Sequence, residues 1–218
     1  MCHNLGGRIC FGAEKSAILW TPMVTKLIIG LGNPDAEYEN TRHNLGFLFI
    51  ESLASDHGSD LILDKKTGAR VAKSKMILGG KNYSVFFARP ESYVNTSGPI
   101  IAKLKAVYKA RPEDIIIVHD DLDIPFGSVK LSFDKNSGGH RGVESIMKAI
   151  KTKKFFRIRL GTANSTLKKA YNQGENAKDA LIKNFVLAKL TPKEKGELKK
   201  LFKDAKDLLS SSGTQLAR

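Results

Sequence analysis

Residues 26–32, with the sequence KLIIGLG, carry a continuous apolar run bounded by glycine. A strand that is covered on both faces of a sheet needs such a run, so a buried strand is predicted here. Behind it, Leu45, Phe49 and Leu53 recur at helical spacing, and Gly58 supplies a C-terminal stop. The stretch therefore predicts a strand followed by a helix, the unit from which layered α/β domains are built.

The rest of the chain continues this alternation. Two β patterns, at 70–78 and 83–88, are separated by Gly-Gly-Lys-Asn, which is typical of a hairpin. The patterns also predict strands at 115–118, 129–133 and 155–160, helices at 97–108, 146–150 and 191–209, and a mobile polar loop at 162–176. We expect a single layered α/β domain with a mixed, mostly parallel twisted sheet flanked by helices.

Ligands of such a domain gather at the carboxyl ends of its parallel strands. Asn33 lies just after the first strand, and His119 and Asp120 stand at the end of the apolar run 115–118. These side chains are therefore predicted to converge at one edge of the sheet.

The chain is strongly basic. Its 218 residues include 36 Lys and Arg against 22 Asp and Glu, which gives a formal net charge of +14. This excess indicates a polyanionic partner, although a basic surface that serves only solubility fits equally well. No segment approaches the ~20 apolar residues of a membrane-spanning helix, so no membrane partner is expected.

The first 22 residues hold both cysteines, Cys2 and Cys10. Their position ahead of the first strand argues against a disulfide framework and suits a reducing compartment, so a cytoplasmic location is expected. A secretory signal is not predicted, because a continuous apolar stretch with a small-residue cleavage site is missing. We expect an extension at 1–22, disordered or not native, before a domain at 23–218. An extended reading frame and a weak organelle-targeting peptide both remain open.

His43 is a candidate general base, and the carboxylates of Asp120, Asp121 and Asp123 are candidate partners for it. His43 stands at the head of the Leu45 helix, where a neutral imidazole can take a proton from water if a partner fixes its tautomer. Asp120 follows a buried strand, and a carboxylate that loses solvent there needs a neighbour such as an imidazole. The alternatives are a capping or surface role for His43 and a magnesium site at the carboxylates of 120–123.

Two asparagines are candidates for handling the reacting group. Asn33 follows Gly-Leu-Gly, but Asp35 stands where a dinucleotide-binding turn has its third glycine, so that comparison fails. Asn95 precedes the helix that Ser97 is placed to cap, and its amide can donate to an oxyanion or hold a water. Each asparagine could instead shape only its own turn.

A glycine loop at 136–142 contains His140 and Arg141. Paired glycines followed by helix amides can approach a phosphate or a nucleotide backbone closely. A loop that only starts a helix is the alternative.

Several motifs together resemble the bacterial-type peptidyl-tRNA hydrolase family. They are GLGNP at 30–34, Tyr38, TRHNLG at 41–46, RPESYVNTSG at 89–98, HDDLDIPFG at 119–127 and SGGHRG at 137–142, and they stand in the family's order. The resemblance runs from about Lys26 to Leu209. It implies a monomeric α/β fold with a C-terminal lid helix, no metal or other cofactor, and hydrolysis of the ester between a peptide and the terminal ribose of tRNA.

The resemblance also implies roles for the candidate residues. His43 would be the general base that deprotonates water, and Asp120 would hold its imidazole in the productive tautomer. Asn95 would position the water or steady the oxyanion. Asn33 would bind the substrate near the scissile ester and the 3′-terminal adenosine.

Further residues would bind the tRNA and its peptide. They are Tyr38, Tyr93, His140, Arg141, Arg159, Lys130, Lys103 and Lys105. The family often has asparagine where this chain has Arg141, so altered affinity is expected there. Arg159 matches the arginine of the family's clamp for the 5′-phosphate. The lysine of that clamp aligns with Ser132, with Lys130 and Lys135 as substitutes.

Two other functions are compatible with these residues. A non-catalytic RNA-binding protein on the same scaffold, like the chloroplast intron-splicing factors related to the family, would also be basic. A magnesium-dependent nuclease or phosphatase would use the carboxylates of 120–123 and would lose activity in a chelator.

Overall fold

The computed structural model describes residues 25–164, 167, 175–212 and 215, so the extension expected at 1–22 lies outside the described residues. Within them, seven strands form one sheet: β1 (Thr25–Gly30), β2 (Ile62–Asp64), β3 (Ala69–Leu78), β4 (Lys81–Pro90), β5 (Ile115–Pro125), β6 (Val129–Phe133) and β7 (Phe156–Ala163). The helices are α1 (Leu45–Asp56), α2 (Gly98–Val107), α3 (Arg141–Ile150), α4 (Glu175–Leu187) and α5 (Pro192–Ser211).

The strand order is β2-β3-β4-β1-β5-β7-β6. The four central strands β4, β1, β5 and β7 are parallel to one another, and β2, β3 and β6 add antiparallel edges. Gly79 and Gly80 join β3 to β4 with positive φ angles of 55° and 77°, which glycine adopts without a steric cost. The predicted mixed sheet and hairpin are therefore confirmed.

The sheet is covered on both faces. Ile28 of β1 packs with α1 and α5, whereas its neighbours Leu27 and Ile29 pack with α2 and α3. All three side chains are fully buried. Burial on both faces is the reason why β1 is an unbroken apolar run instead of an alternating one.

The C-terminal helix α5 begins at a capping box. The Thr191 hydroxyl accepts the Glu194 amide at 3.2 Å, and the Glu194 carboxylate accepts the Thr191 amide at 2.8 Å. The predicted apolar stripe of this helix packs into the core through Leu201, Phe202, Ala205 and Leu209. Over the described ranges, no helix combines the length and the apolar character needed to cross a membrane.

Some local predictions differ from the structure. β5 continues to Pro125 because it keeps pairing with β7 after β1 has ended, so His119 and Asp120 lie inside a strand and not at its end. The Ser97 hydroxyl does not cap α2 but donates to the Tyr93 carbonyl at 3.2 Å. The helix predicted to contain Ile146–Ile150 is α3, which starts at Arg141, directly after the glycine loop.

The polar loop predicted at 162–176 is only partly described. Thr162 and Ala163 belong to β7, and α4, which was not predicted, starts at Glu175. Residues 165, 166 and 168–174 lie outside the described part of the chain. α4 escapes prediction because its burial is concentrated at its end, at Phe185 and Val186, which leaves little apolar periodicity ahead of them.

The start of α1 lies directly against the end of β1 and the middle of β5. A Cβ on Gly30 would stand 2.2 Å from the Gly46 carbonyl oxygen, and a Cβ on Gly46 would stand 2.4 Å from the Val118 carbonyl oxygen. Both contacts are with backbone, which cannot rotate away. Glycine at both positions therefore lets the helix that follows His43 touch the sheet.

We expect Gly46→Ala to lower the free energy of unfolding by about 1–3 kcal/mol, because its methyl group would overlap backbone atoms of Leu31 and Val118. Chemical denaturation measures the change. Gly196→Ala is the matched control, since no atom lies within 4 Å of a Cβ at this position in α5, and it should be neutral or mildly stabilising. Equal stability of the two variants would contradict the close contact.

Candidate active site

The candidate site lies where β5 extends beyond its neighbour β1. The register between the two strands ends at Gly30 and Val118, and Asn33 follows β1 in a loop. A 3-10 turn at Arg42–Asn44 precedes α1 and carries His43 to the same place. The sequence predicted that Asn33, His119 and Asp120 would converge. The structure adds His43, whose Nδ1 lies 2.9 Å from Asp120 Oδ1, and it holds Asn33 beside this turn through Asn44, the residue after His43.

Asp120 connects two imidazoles through one oxygen. Its Oδ1 lies 2.9 Å from His43 Nδ1 and 3.2 Å from His140 Nε2, and the residue is 2% exposed. Burial raises the pKa of Asp120, but the charges and hydrogen bonds of the two histidines outweigh it and hold this pKa well below its usual range. Asp120 is therefore a carboxylate that only accepts hydrogen bonds.

The carboxylate fixes the tautomer of His43. Because Asp120 has no proton to give, His43 Nδ1 must carry the hydrogen and donate it. The other ring nitrogen, Nε2, then has a free lone pair. Burial lowers the pKa of His43, but the charge and hydrogen bond of Asp120 raise it by a larger amount. The pKa of His43 therefore lies above its ordinary value. His43 is thus arranged as a base at pH values above its pKa.

His140 is also held in one tautomer. It caps α3, because its Nδ1 accepts the Val143 amide at 3.3 Å, so its proton is on Nε2 and points at Asp120. Its ring also contacts the buried ring of His119, with 4.5 Å between centroids. His119 Nδ1 donates to the Asp120 carbonyl at 2.6 Å, and burial lowers the pKa of His119 well below its usual value. The loop residue predicted to bind substrate therefore supports the Asp120 carboxylate.

His43, Asp120 and His140 are also the group of described residues whose ligand atoms lie close enough to hold a metal, all within 4.8 Å. A neutral His140 that bound a metal through Nε2 would carry its proton on Nδ1. That proton would face the Val143 amide, which is itself a donor. The donor set therefore fits a metal ion poorly.

Asn33 is anchored by a neighbour that the sequence did not single out. Asn44 accepts the Asn33 amide at 2.8 Å and donates to the Asn33 carbonyl at 3.0 Å. The Asn33 side-chain oxygen accepts the Val94 amide at 3.0 Å, so it links the end of β1 to the turn that carries Asn95. The position of Asn44 directly after His43 in the motif could have indicated its role in anchoring Asn33.

Asn95 lies on the exposed 3-10 turn Val94–Thr96. It lines a groove of about 520 Å³ between the start of α2 and α3, whose wall also includes Arg141 and Lys148. This groove is next to His140, since Arg141 is the following residue. Arg141 itself is exposed, so its guanidinium is accessible to a substrate.

The two predicted tyrosines stand together beside Asn33. Their rings pack edge to face with centroids 6.2 Å apart, and the Tyr93 hydroxyl donates to Asp35 at 2.5 Å. A hydrogen bond with Glu37 raises the pKa of Tyr38 to about 12. Both hydroxyls are therefore neutral donors, and Tyr93 is nearly half exposed.

The basic candidates form two groups. On the sheet, Arg159 and Lys130 are cross-strand partners, and Arg159 Nε donates to Asp121 at 2.7 Å. On α2, Lys103 is exposed and Lys105 is half-buried. The sequence did not indicate Arg157, which is buried beside this pair and donates to the Asn136 carbonyl at 2.9 Å. Arg157 thus braces the glycine loop.

Comparison with known proteins agrees with this arrangement. The family model described as peptidyl-tRNA hydrolase matches residues 27–217. A peptidyl-tRNA hydrolase of Bifidobacterium longum is 37% identical over 181 residues, covering 83% of this chain and 87% of that protein. One from Mycobacterium tuberculosis is 36% identical over 195 residues, covering 88% and 94%.

The crystal structure of peptidyl-tRNA hydrolase from Acinetobacter baumannii superimposes with a TM-score of 0.71 at 30% identity, covering 88% of this chain and 92% of that one. The alternative of a non-catalytic RNA-binding protein receives no support from these matches, and neither does a metal-dependent nuclease. The chain belongs to the peptidyl-tRNA hydrolase family.

Proposed function

We propose that this chain hydrolyses the ester between a peptide and the 3′-terminal ribose of tRNA, with His43 as the general base. The observation that carries the proposal is the 2.9 Å bond between His43 Nδ1 and Asp120, which leaves Nε2 free to take a proton from water. The peptidyl-tRNA hydrolases to which this chain is similar agree with this activity.

The reaction follows from the positions of these groups. His43 Nε2 removes a proton from water, and the resulting hydroxide adds to the ester carbonyl. The imidazolium is stabilised by the Asp120 carboxylate, in the way that the third member of a catalytic triad supports its base. The Asn95 amide donates to the oxyanion or holds the water. Collapse of the intermediate breaks the bond to the ribose oxygen, which takes the proton from His43.

Binding of the substrate falls to the groups around this centre. Asn33 offers its Nδ2, which has no hydrogen-bond partner among the described residues, to the substrate near the ester. Tyr38 and Tyr93 offer ring faces on the same side, while their hydroxyl groups bind the carboxylates of Glu37 and Asp35. His140 and Arg141, at the start of α3, would contact the substrate backbone, where the arginine can meet a phosphate or a carbonyl.

The tRNA would bind through its phosphates along the acceptor stem and TΨC arm. Lys130 and Arg159 form one basic pair, and Lys103 and Lys105 lie on α2. The net charge of +14 favours such contacts, which give affinity without reading sequence. We place this enzyme in the cytoplasm as a monomer, with residues 23–218 as its domain and 1–22 as an extension.

The double variant Lys130→Gln/Arg159→Gln should weaken tRNA binding and reduce the dependence of log Kd on log salt by about 1–2 units of slope, because each phosphate contact releases counterions. Filter binding across a salt series measures this slope. The matched control is Lys199→Gln/Lys203→Gln, which removes the same charge from exposed positions on α5. The proposed contact would be wrong if both double variants changed the slope equally.

The activity is tested with an N-acetylated aminoacyl-tRNA in EDTA, beside unblocked aminoacyl-tRNA. Release of the blocked amino acid alone is the expected result. Loss of the activity in EDTA would favour a metal-dependent reaction, and tight tRNA binding without release would favour a binding protein.

A further inference from the structure

The buried guanidinium of Arg42 joins the two C-terminal helices to the turn that carries His43. Its Nε and Nη2 donate to the two carboxylate oxygens of Glu194 at 2.9 and 2.8 Å. Its Nη1 donates to the carbonyls of Phe185 and Ala188 at 3.2 and 3.5 Å. The guanidinium carbon lies 4.5 Å from the centre of the Phe185 ring, so the cation also stacks on this ring.

The Arg42 side chain thereby forms hydrogen bonds at the C-terminal end of α4 and at the N-terminal end of α5. The last carbonyls of a helix lack the usual partners one turn ahead. At the end of α4 the Phe185 carbonyl accepts the Ala188 amide at 3.3 Å, and Arg42 adds a second donor to Phe185 and one to the Ala188 carbonyl just beyond the helix. Glu194 belongs to the capping box of α5, so its carboxylate binds the Thr191 amide as well as Arg42. Both members of the ion pair are less than a tenth exposed, and a bidentate pair of this kind tolerates little displacement.

The backbone on either side of Arg42 also contacts residues 185–194. We call these residues the α4–α5 corner. The Leu190 amide donates to the Asn40 carbonyl at 2.8 Å, and Thr41 forms a β-bridge with Lys189. The Lys189 ammonium donates to the carbonyls of Glu37 and Glu39 at 2.7 and 2.6 Å. The segment that includes Tyr38 and leads into His43 is therefore bound to the corner along its length.

His43 lies between two anchored neighbours. Arg42 is fixed on the α4–α5 corner, and Asn44 is fixed on the backbone of Asn33. We propose that Arg42 is a positioning residue: through the α4–α5 corner it keeps His43 within hydrogen-bond distance of Asp120. The proposal rests on the proposed function, because that function makes His43 the base. Arg42 itself need not touch the substrate.

The test uses Arg42→Lys and Glu194→Gln in the full chain. Arg42→Lys keeps the charge but loses the bidentate geometry, and Glu194→Gln removes the ion pair while leaving Arg42 its two carbonyls. With N-acetylated aminoacyl-tRNA, kcat should fall about 10- to 100-fold, since small displacements of a catalytic group cost this much. Kd for tRNA should stay within about twofold, because Arg42 is buried away from the phosphates. The downfield proton NMR signal of His43 Nδ1–H should weaken or disappear.

Asp114→Asn is the matched control. It breaks another buried ion pair, with Lys26, before the start of β5 and therefore at the opposite end of the sheet. It should lower Tm while kcat and the His43 signal stay unchanged. The proposal is overturned if the Arg42 and Glu194 variants behave like this control. If Arg42→Lys does not fold, Glu194→Gln alone tests the positioning role of Arg42. The NMR signal still tests positioning if the parent chain proves inactive, which would overturn only the proposed function.

Discussion

Replacement of His43 by alanine should lower kcat/KM for N-acetylated aminoacyl-tRNA by about 10³- to 10⁴-fold, the upper range for loss of a general base. The loss should fall on kcat, because the Nε2 lone pair acts on water and not on the bound RNA. Single-turnover hydrolysis measures it. Kd for tRNA should change little, since the phosphate contacts proposed at Lys130 and Arg159 remain.

His57→Ala is a suitable control for the His43 variant. His57 is an exposed histidine at the C-terminal end of α1, so its removal changes the same residue type on the same helical segment. We expect unchanged kcat for this variant. If His43→Ala retained more than about a tenth of the parent rate, His43 would not be the base, because general base catalysis contributes at least about 10²-fold.

Asp120→Asn should cause the second large loss, about 10⁴-fold in kcat, as expected when the partner that sets the tautomer of a catalytic histidine becomes a neutral amide. An asparagine amide can donate to His43 Nδ1, and the imidazole would then carry its proton on Nε2, where the lone pair is needed. His140 would lose its acceptor at the same time.

The pH profile of this variant gives an independent check. Hydrolysis needs neutral His43, so the rate rises with pH through the pKa of His43, and in the parent chain this pKa lies above 6.5. Asp120→Asn removes the charge that raises the pKa of His43 but leaves the burial that lowers it, so the midpoint should move to lower pH. Asp123→Asn, an exposed carboxylate of the same motif, should keep both the rate and the midpoint. A midpoint that moves upward would contradict the role of Asp120.

The sequence is sufficient for the fold and for the location of the site because the relevant signals are local. The apolar run at 26–32 and the spacing of Leu45, Phe49 and Leu53 are visible without tertiary contacts, and both become buried elements. Chemistry offered His43 as a base and the carboxylates of 120–123 as its partners, and the family resemblance selected Asp120, whose Oδ1 lies 2.9 Å from His43 Nδ1. What each does in catalysis stays a prediction.

The features that sequence could not give depend on contacts between distant segments. The capping of α3 by His140 is local, but the bond from its Nε2 to Asp120 crosses 20 positions of sequence. The bidentate pair between Arg42 and Glu194 spans 152 positions. Among the described side chains of α4, those of 179, 180, 183 and 184 are exposed, so its apolar pattern is weak, and only the fold shows that its end lies against Arg42.

The contact between Gly30 and Gly46 has a consequence for how the enzyme responds to heat. With no side chain between Gly30 and Gly46, rotamer changes cannot loosen the approach of helix to sheet at this contact. Warming can separate them only by breaking backbone packing in the middle of the domain. Activity should therefore persist on heating until the whole domain unfolds, and it should then be lost in one cooperative step. We expect no range of temperatures in which the domain is folded but the site is loosened.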